Sequence, residues 1–251
     1  MSDTIIYIPF LFIGTLLVTE LGFYLSRAGH RKQKPTSSVL NGSLFALLGL
    51  LIAFSFNGAS SRFDARRAMV VDESIAVMQA WENLQWFAPE VQPPLREKFK
   101  EYVTSRIVIY ELVPDTEKAF AALAASRVIK KELGMLVDEA MLNADDRYIR
   151  GLVAPAFAAL SRTEHLRYAS LKMHPPPIIF YMLIGITMIV AFLSAIETEE
   201  GRARPFLSTI IFATVISAVV YCILDIEYPR DGLIIADGQD YLMQEALDSF
   251  P

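Results

Sequence analysis

The sequence predicts an all-α membrane protein with four transmembrane helices and a helical extramembrane domain between the second and the third. Three observations predict it. The chain of 251 residues is 53% hydrophobic with a mean hydropathy of +0.37, yet 20% of it is charged, too much for a protein lying wholly in lipid. Four stretches are apolar over about twenty residues, the length a helix needs to cross a hydrocarbon core. Much of the charge falls between the second and third stretches, where apolar residues recur at helical spacing and no strand-like alternation appears.

Thr4 to Leu25 is the first span. It has no basic leading segment and no small-residue cleavage site, so it reads as an uncleaved transmembrane helix. Glu20 near its end reads as a residue at the headgroups or paired with a neighbouring helix, in preference to a functional intramembrane carboxylate. Ser26 to Ser38 is a basic loop. Val39 to Asn57 is the second span, nineteen residues without a charge. Gly42 and Gly49, and Ala46 and Ala53, lie seven apart, and small residues on one face let helices approach closely. Arg62, Asp64, Arg66 and Arg67 follow with no helix breaker between. One continuous helix is expected to pass from lipid into water.

Ser61 to Pro175 reads as all helix. Phe63, Val70, Val77 and Leu84 repeat at seven, with Met78 and Trp81 widening the stripe. Pro89, Pro93 and Pro94 end that helix near Phe87. A second helix runs from Pro94 to Leu112, with Leu95, Phe99, Tyr102, Val103, Ile107 and Tyr110 inward. Asp115 or Thr116 caps a third, reaching Leu142, with Phe120, Leu123, Leu133, Leu136 and Val137 inward. A fourth stretch, from a turn at Asn143 to Asp146 up to Met173, buries Ile149, Leu152, Phe157, Leu160, Leu166 and Leu171. Pro155 is expected to kink or divide it, with Ser161 and Glu164 as a capping box at a restart. Trp81, Trp86 and the methionines are expected in the core. This part holds sixteen Lys/Arg and sixteen Asp/Glu, the mixture of a solvated surface.

Pro175 to Pro177 is a stiff joint. The third span runs from Pro177 to Ile196, proline being harmless at a helix start. The fourth runs from Phe206 to Leu224, with small pairs Ala213 and Ser217, and Thr214 and Ala218, suited to helix packing. A short amphipathic helix with Tyr241, Leu242 and Leu247 follows. The division is therefore 1–60 for the first two spans, 61–175 for the helical domain, 176–225 for the last two spans and 226–251 for a C-terminal tail.

Several classes are excluded. A net charge of -5 gives no basis for nucleic-acid binding. The single cysteine, Cys222, forbids an intrachain disulfide or a multi-cysteine metal site. His30, His165 and His174 are far apart in sequence. No nucleophile–base constellation, phosphate loop or metal-ligand spacing is present. The chain is expected to be no enzyme, with no catalytic residue, no cofactor and no metal. A proton-coupled transporter built on Glu20 is the weakest reading, since no paired broken helices or internal repeat accompany it.

Short basic loops mark the cytoplasmic side. The loops at 26–38 and 197–204 hold six Lys/Arg, against none in the N-terminal tail and Arg230 in the C-terminal one. That count places the helical domain outside. Arg62, Arg66, Arg67, Arg162, Arg167 and Lys172 pull the other way.

The segment from Phe54 through Asn57, Ala59, Arg62, Phe63, Asp64 and Ala65 to Arg66 resembles the end of the second helix of bacterial bestrophins. There a Phe is followed by Asn three on, Ala two further, Arg three further, then an aromatic residue and an acidic-Ala-Arg triplet. This sequence has one residue fewer between Arg62 and Ala65. The order of two spans, a helical domain and two spans fits as well. The chain is therefore identified as a member of the bestrophin-like membrane family of bacteria.

That resemblance implies a multi-pass protein of the bacterial cell membrane, with its helical domain in the cytoplasm, against the loop count. It implies a homopentamer around one pore lined by the second helix and conducting chloride or other small anions. Counting back from Arg62, the constriction falls on Phe54, Leu50 and Ala46, where Ala46 departs from the bulkier Phe or Ile of bestrophins. Asp237, Asp240 and Glu245 do not reproduce the calcium-binding segment of animal bestrophins, so no calcium site is expected.

Apolar rings close pores by dewetting, and charged rings beyond them set the permeant sign. Phe54 and Leu50 are thus candidates for a gate, and Asn57, Arg62, Arg66 and Arg67 for an anion-attracting exit. The plainer alternatives are that Phe54 and Leu50 face lipid, that Arg62 and Arg66 pair with Asp64 or Asp72 or snorkel to headgroups, and that Asn57 bonds between helices. At the level of the whole protein, the alternative is a non-conducting structural or signalling protein whose helical domain binds a protein partner.

Overall fold

The computed structural model describes residues 3–28, 38–112, 116–144, 146–170, 173–196, 206–228 and 241–250. Among these, every regular element is helical. In chain order they are α1 (Asp3–Ala28), α2 (Ser38–Asn83), a 3-10 turn (Leu84–Trp86), α3 (Gln92–Glu111), α4 (Thr116–Asn143), α5 (Arg147–Ser170), α6 (Ile178–Ile196), α7 (Phe206–Glu227) and α8 (Tyr241–Asp248). Four of them, α1, α2, α6 and α7, are long and apolar enough to cross a membrane. The loop residues Arg31, Lys32, Lys34, Arg202 and Arg204, the cap candidate Asp115, and Leu171, Lys172, Arg230, Asp237 and Asp240 lie outside the described residues.

The chain divides into two compact units, residues 1–63 with 174–234, and 64–173 with 235–251. α2 contributes to both. In the first unit α1 packs against α6 and α7. Leu11, Leu48, Leu183, Val190, Ile216 and Val220 form its core. Close approach depends on missing side chains. A Cβ on Gly22 would stand 2.7 Å from Ala195 Cβ and 2.8 Å from the Phe192 carbonyl oxygen. The buried hydroxyls of Thr15, Thr19 and Thr187 each donate to the carbonyl one turn earlier, at 2.7–2.8 Å. A helix in hydrocarbon must satisfy its polar groups internally, and these threonines do so.

In the second unit the seven-residue stripe is realised: Val70, Val77, Trp81 and Leu84 are buried. They meet Leu95, Phe99, Tyr102 and Val103 of α3, Leu133 and Val137 of α4, and Val153 and Leu160 of α5. α8 closes this core with Met243, Ala246 and the following Phe250. Phe250 stacks on Trp81 at 4.1 Å between ring centroids, with Phe99 edge-on to Phe250 at 6.0 Å. Arg96 lies 5.0 Å over the Trp81 ring. Each such aromatic side chain contributes about 1.5–3 kcal/mol on full burial.

Several expectations fail here. Pro155 does not divide α5, which is assigned as one helix from Arg147 to Ser170, so there is no restart for a capping box. The carbonyl that loses its partner to proline belongs to Gly151, one turn back. Gly151 and Pro155 are both exposed, so water can take the vacant bond. Glu164 is buried and ion-paired with Lys130. Trp86, Phe120 and Leu166 are 46%, 59% and 48% exposed, and Met78 and Met135 are exposed as well. Trp86 sits past the end of α2, where the exposed Tyr148 ring stands edge-on 6.3 Å away. Val153 and Ala156 take the inward positions of α5.

Candidate functional site

The first half of α2 has an unusual environment. Its most apolar eighteen-residue window is 6% buried, against 28% for the corresponding windows of α1, α6 and α7. Leu48 is buried in the core of the first unit, and Asn41 Nδ2 reaches Ser194 Oγ at 3.5 Å. Leu44, Leu51 and Ile52 lie half-buried against that core, and Phe45 meets the Phe212 ring edge-on at 5.9 Å, while the opposite face is open. Phe54 is 65% and Leu50 52% exposed, and Ala46, Ala53 and Asn57 are exposed too. A Cβ added at Gly42 or Gly49 would meet nothing within 4 Å. Phe54, Leu50 and Ala46 share one face because residues four apart lie one above the other.

Toward the end of this half, a cavity of about 200 Å³ lies between α2 and the start of α6, lined by Leu51, Phe54, Gly58, Arg62, Ile179 and Phe180 among others. Arg62 lies back over Gly58, its Nη1 3.3 Å from where a Cβ would be. Its other nitrogens turn to α7. Nε and Nη2 donate to Oε2 of Glu227 at 2.8 and 2.7 Å. The Glu227 side chain is 0% exposed, whereas that of Arg62 is 33% exposed. His174 Nδ1 stands 3.5 Å from Glu227 Oε1, and the His174 ring stacks on Tyr228 at 4.8 Å. Arg62 therefore takes a partner on α7, Glu227, where one of the plainer alternatives had Asp64 or Asp72. Arg66 donates from Nη2 to the Met173 carbonyl at 3.2 Å. Arg67 is exposed. The structure thus joins Phe54 and Arg62 along one cavity and gives Arg66 a separate anchor.

A second charged cluster sits in the core of the other unit. Glu73, 1% exposed, accepts from Arg106 Nε at 2.9 Å and from Arg167 Nη1 at 2.7 Å. Among the described residues no group of three or more His, Cys, Asp and Glu is placed to hold a metal ion.

Sequence reasoning missed Glu227, His174 and Glu73. A signal existed for two of them. Glu73 falls inside the Val70–Val77–Leu84 stripe, where a charge must find a partner. Glu227 ends the fourth apolar run at a helix C-terminus, where the backbone dipole disfavours an anion. An acidic residue there implies a nearby cation.

The family comparison decides the identity. A model of the bestrophin-like domain matches residues 10–235. The chain belongs to the bestrophin-like family. The match takes in the first candidate span from residue 10 on, the other three whole and the helices between them, far more than the Phe54–Arg66 segment that carried the resemblance. Membership marks a bestrophin-like chain as a membrane protein of channel type. No curated protein matches the chain, and no solved structure does.

Proposed function

We propose that this bestrophin-like protein is a homo-oligomeric, pentameric anion channel of the bacterial cell membrane whose pore is lined by α2. In this reading 1–60 and 176–225 span the membrane, 61–175 forms an extramembrane helical domain and 226–251 is the C-terminal tail. One observation carries the reading beyond the family. Only 6% of the most apolar window of α2 is buried by its own chain, against 28% in each of the other spans. Copies of α2 placed side by side around an axis would cover part of that surface and turn the rest toward a pore. Phe54 and Leu50, both exposed, then form apolar rings that close by dewetting, with Ala46 a wider ring beyond them. Asn57, Arg62, Arg66 and Arg67 follow toward the exit.

Reconstitution of the purified full chain into chloride-loaded liposomes tests this. The expected result is chloride efflux, raised severalfold by Phe54→Ala, from particles with five-fold symmetry and a central hole. Sealed liposomes together with a monomeric or dimeric particle would sink the channel reading. They would favour the alternative, a non-conducting structural or signalling protein whose helical domain captures a protein partner.

A further inference from the structure

An isolated arginine at the end of a pore helix attracts anions. Arg62 is not isolated. Its guanidinium sits on a carboxylate that is 0% exposed. Taking a carboxylate out of water is tolerable only if it is paired and hydrogen-bonded. Glu227 also closes α7, where the carbonyl end of the helix dipole repels it further. The buried anion therefore needs the cation, and the partly exposed Arg62 is the member of the pair with freedom to move. Arg62 from α2 and His174 from the segment before α6 both face Glu227, with Tyr228 stacked on the imidazole. Asp225, also buried, lies two residues back and so roughly on the opposite side of α7.

We propose that Glu227 is a positioning residue that sets the ionic character of the α2 exit. Its carboxylate holds Arg62 in a neutral pair against α7; where a neutral amide replaces that carboxylate, Arg62 becomes a ring of fixed positive charge around the pathway. This inference rests on the channel reading. Glu227 touches Arg62 and not the permeating ion. The anion preference at this level is then governed by a residue on the fourth span, and Arg62 by itself is a poor guide to it.

The test is the reversal potential across planar bilayers in a KCl gradient. It compares the wild-type full chain with Glu227→Gln, Arg62→Gln and the double variant. Glu227→Gln is expected to raise the chloride-to-potassium permeability ratio about threefold or more, because an uncompensated charged ring changes local ion concentrations by such factors. Arg62→Gln lowers the ratio, and the double variant returns to the wild-type value. Glu227→Asp, which keeps the charge, keeps the wild-type ratio. A Glu227→Gln ratio equal to wild type overturns the proposal. If that variant does not assemble, the double variant decides. A wild-type ratio supports the pair, and the reduced ratio of Arg62→Gln shows Arg62 acting alone and overturns it. A wild type that forms particles but passes no current refutes the channel reading, and with it the claim about ions. Thermal unfolding of the same four proteins then reads the pair separately. Single losses that the double variant does not add to support it, and strictly additive losses overturn it.

Discussion

The two halves of α2 are one unbroken helix in two different environments. From Asp64 onward, Val77 and Ala80 are fully buried, and Glu73 is enclosed by two arginines from α3 and α5. Before Phe63, only 6% of the most apolar part of the helix is buried, along the one face that carries Leu48. Hydrophobicity alone would predict the reverse. Burial within one chain follows instead from the partners at hand: α3, α4, α5 and α8 surround the second half, while α1, α6 and α7 pack chiefly on one another. The first half is left for lipid or for other copies of the chain.

The contrast is challenged most forcefully at Glu73. Glu73→Ala leaves Arg106 and Arg167 buried without their carboxylate, a change expected to cost about 3–5 kcal/mol. Chemical unfolding of the purified full chain measures it. A loss below about 1 kcal/mol would mean that water or another group takes over the arginines' hydrogen bonds and that Glu73 is not what holds them.

Two glycines probe the other side. Gly22→Leu is expected to destabilise the fold by about 1–3 kcal/mol, since its Cβ alone meets Ala195 and Phe192 below 3 Å. A Cβ at Gly49 meets nothing of its own chain within 4 Å, and Gly49→Leu is expected to leave the unfolding midpoint of the monomer unchanged or slightly raised, glycine being the poorer helix former. In the oligomer proposed above, the same substitution falls where copies approach. It is expected to shift the elution profile from oligomer to monomer. An intact oligomer of the Gly49→Leu variant would move the subunit contact to another face.

The smallest effect belongs to the rim of the covered region. Lys98 hydrogen-bonds Glu101 and Glu132, and these bonds hold its pKa above the ordinary lysine value, the Glu101 bond contributing most. Because the folded-state value is raised, the stabilisation is fully present below 10.5 and fades as pH climbs through the higher folded value. A stability difference between wild type and Lys98→Met should therefore be slight at neutral pH and vanish in strong alkali. A difference that grows with pH would reverse the sign of the linkage.

The sequence made the covered half easier to read than the bare one. Periodicity marks Val70, Val77, Trp81 and Leu84 as inward because a helix beside water must choose a face. The pattern fails at the rim: Trp86 and Phe120 are apolar by composition but are 46% and 59% exposed. In the first half nearly every residue is apolar, so there is no face to choose, and length announces a span while saying nothing of its neighbours. Phe54 and Arg62 were singled out by a short motif. Glu227 was passed over because its partner lies 165 residues away in sequence, beyond the range of any local pattern. For the same reason the segment after α7, expected as a tail, gave no sign that Phe250 would close an aromatic core.

That last contact bears on how the protein is made. Trp81 and Phe99 leave the ribosome early, but their stacking partner Phe250 follows α6 and α7; the Phe250 carbonyl and Lys100, which meet at 3.5 Å, are 150 residues apart. At ordinary rates of synthesis the interval is roughly 8–30 s. Throughout it the aromatic face of α2 and α3 has no cover from α8. The two later spans must be threaded into the bilayer while that face waits. Nascent chains stalled before Tyr241 should accordingly be the ones that chaperones hold and proteases cut.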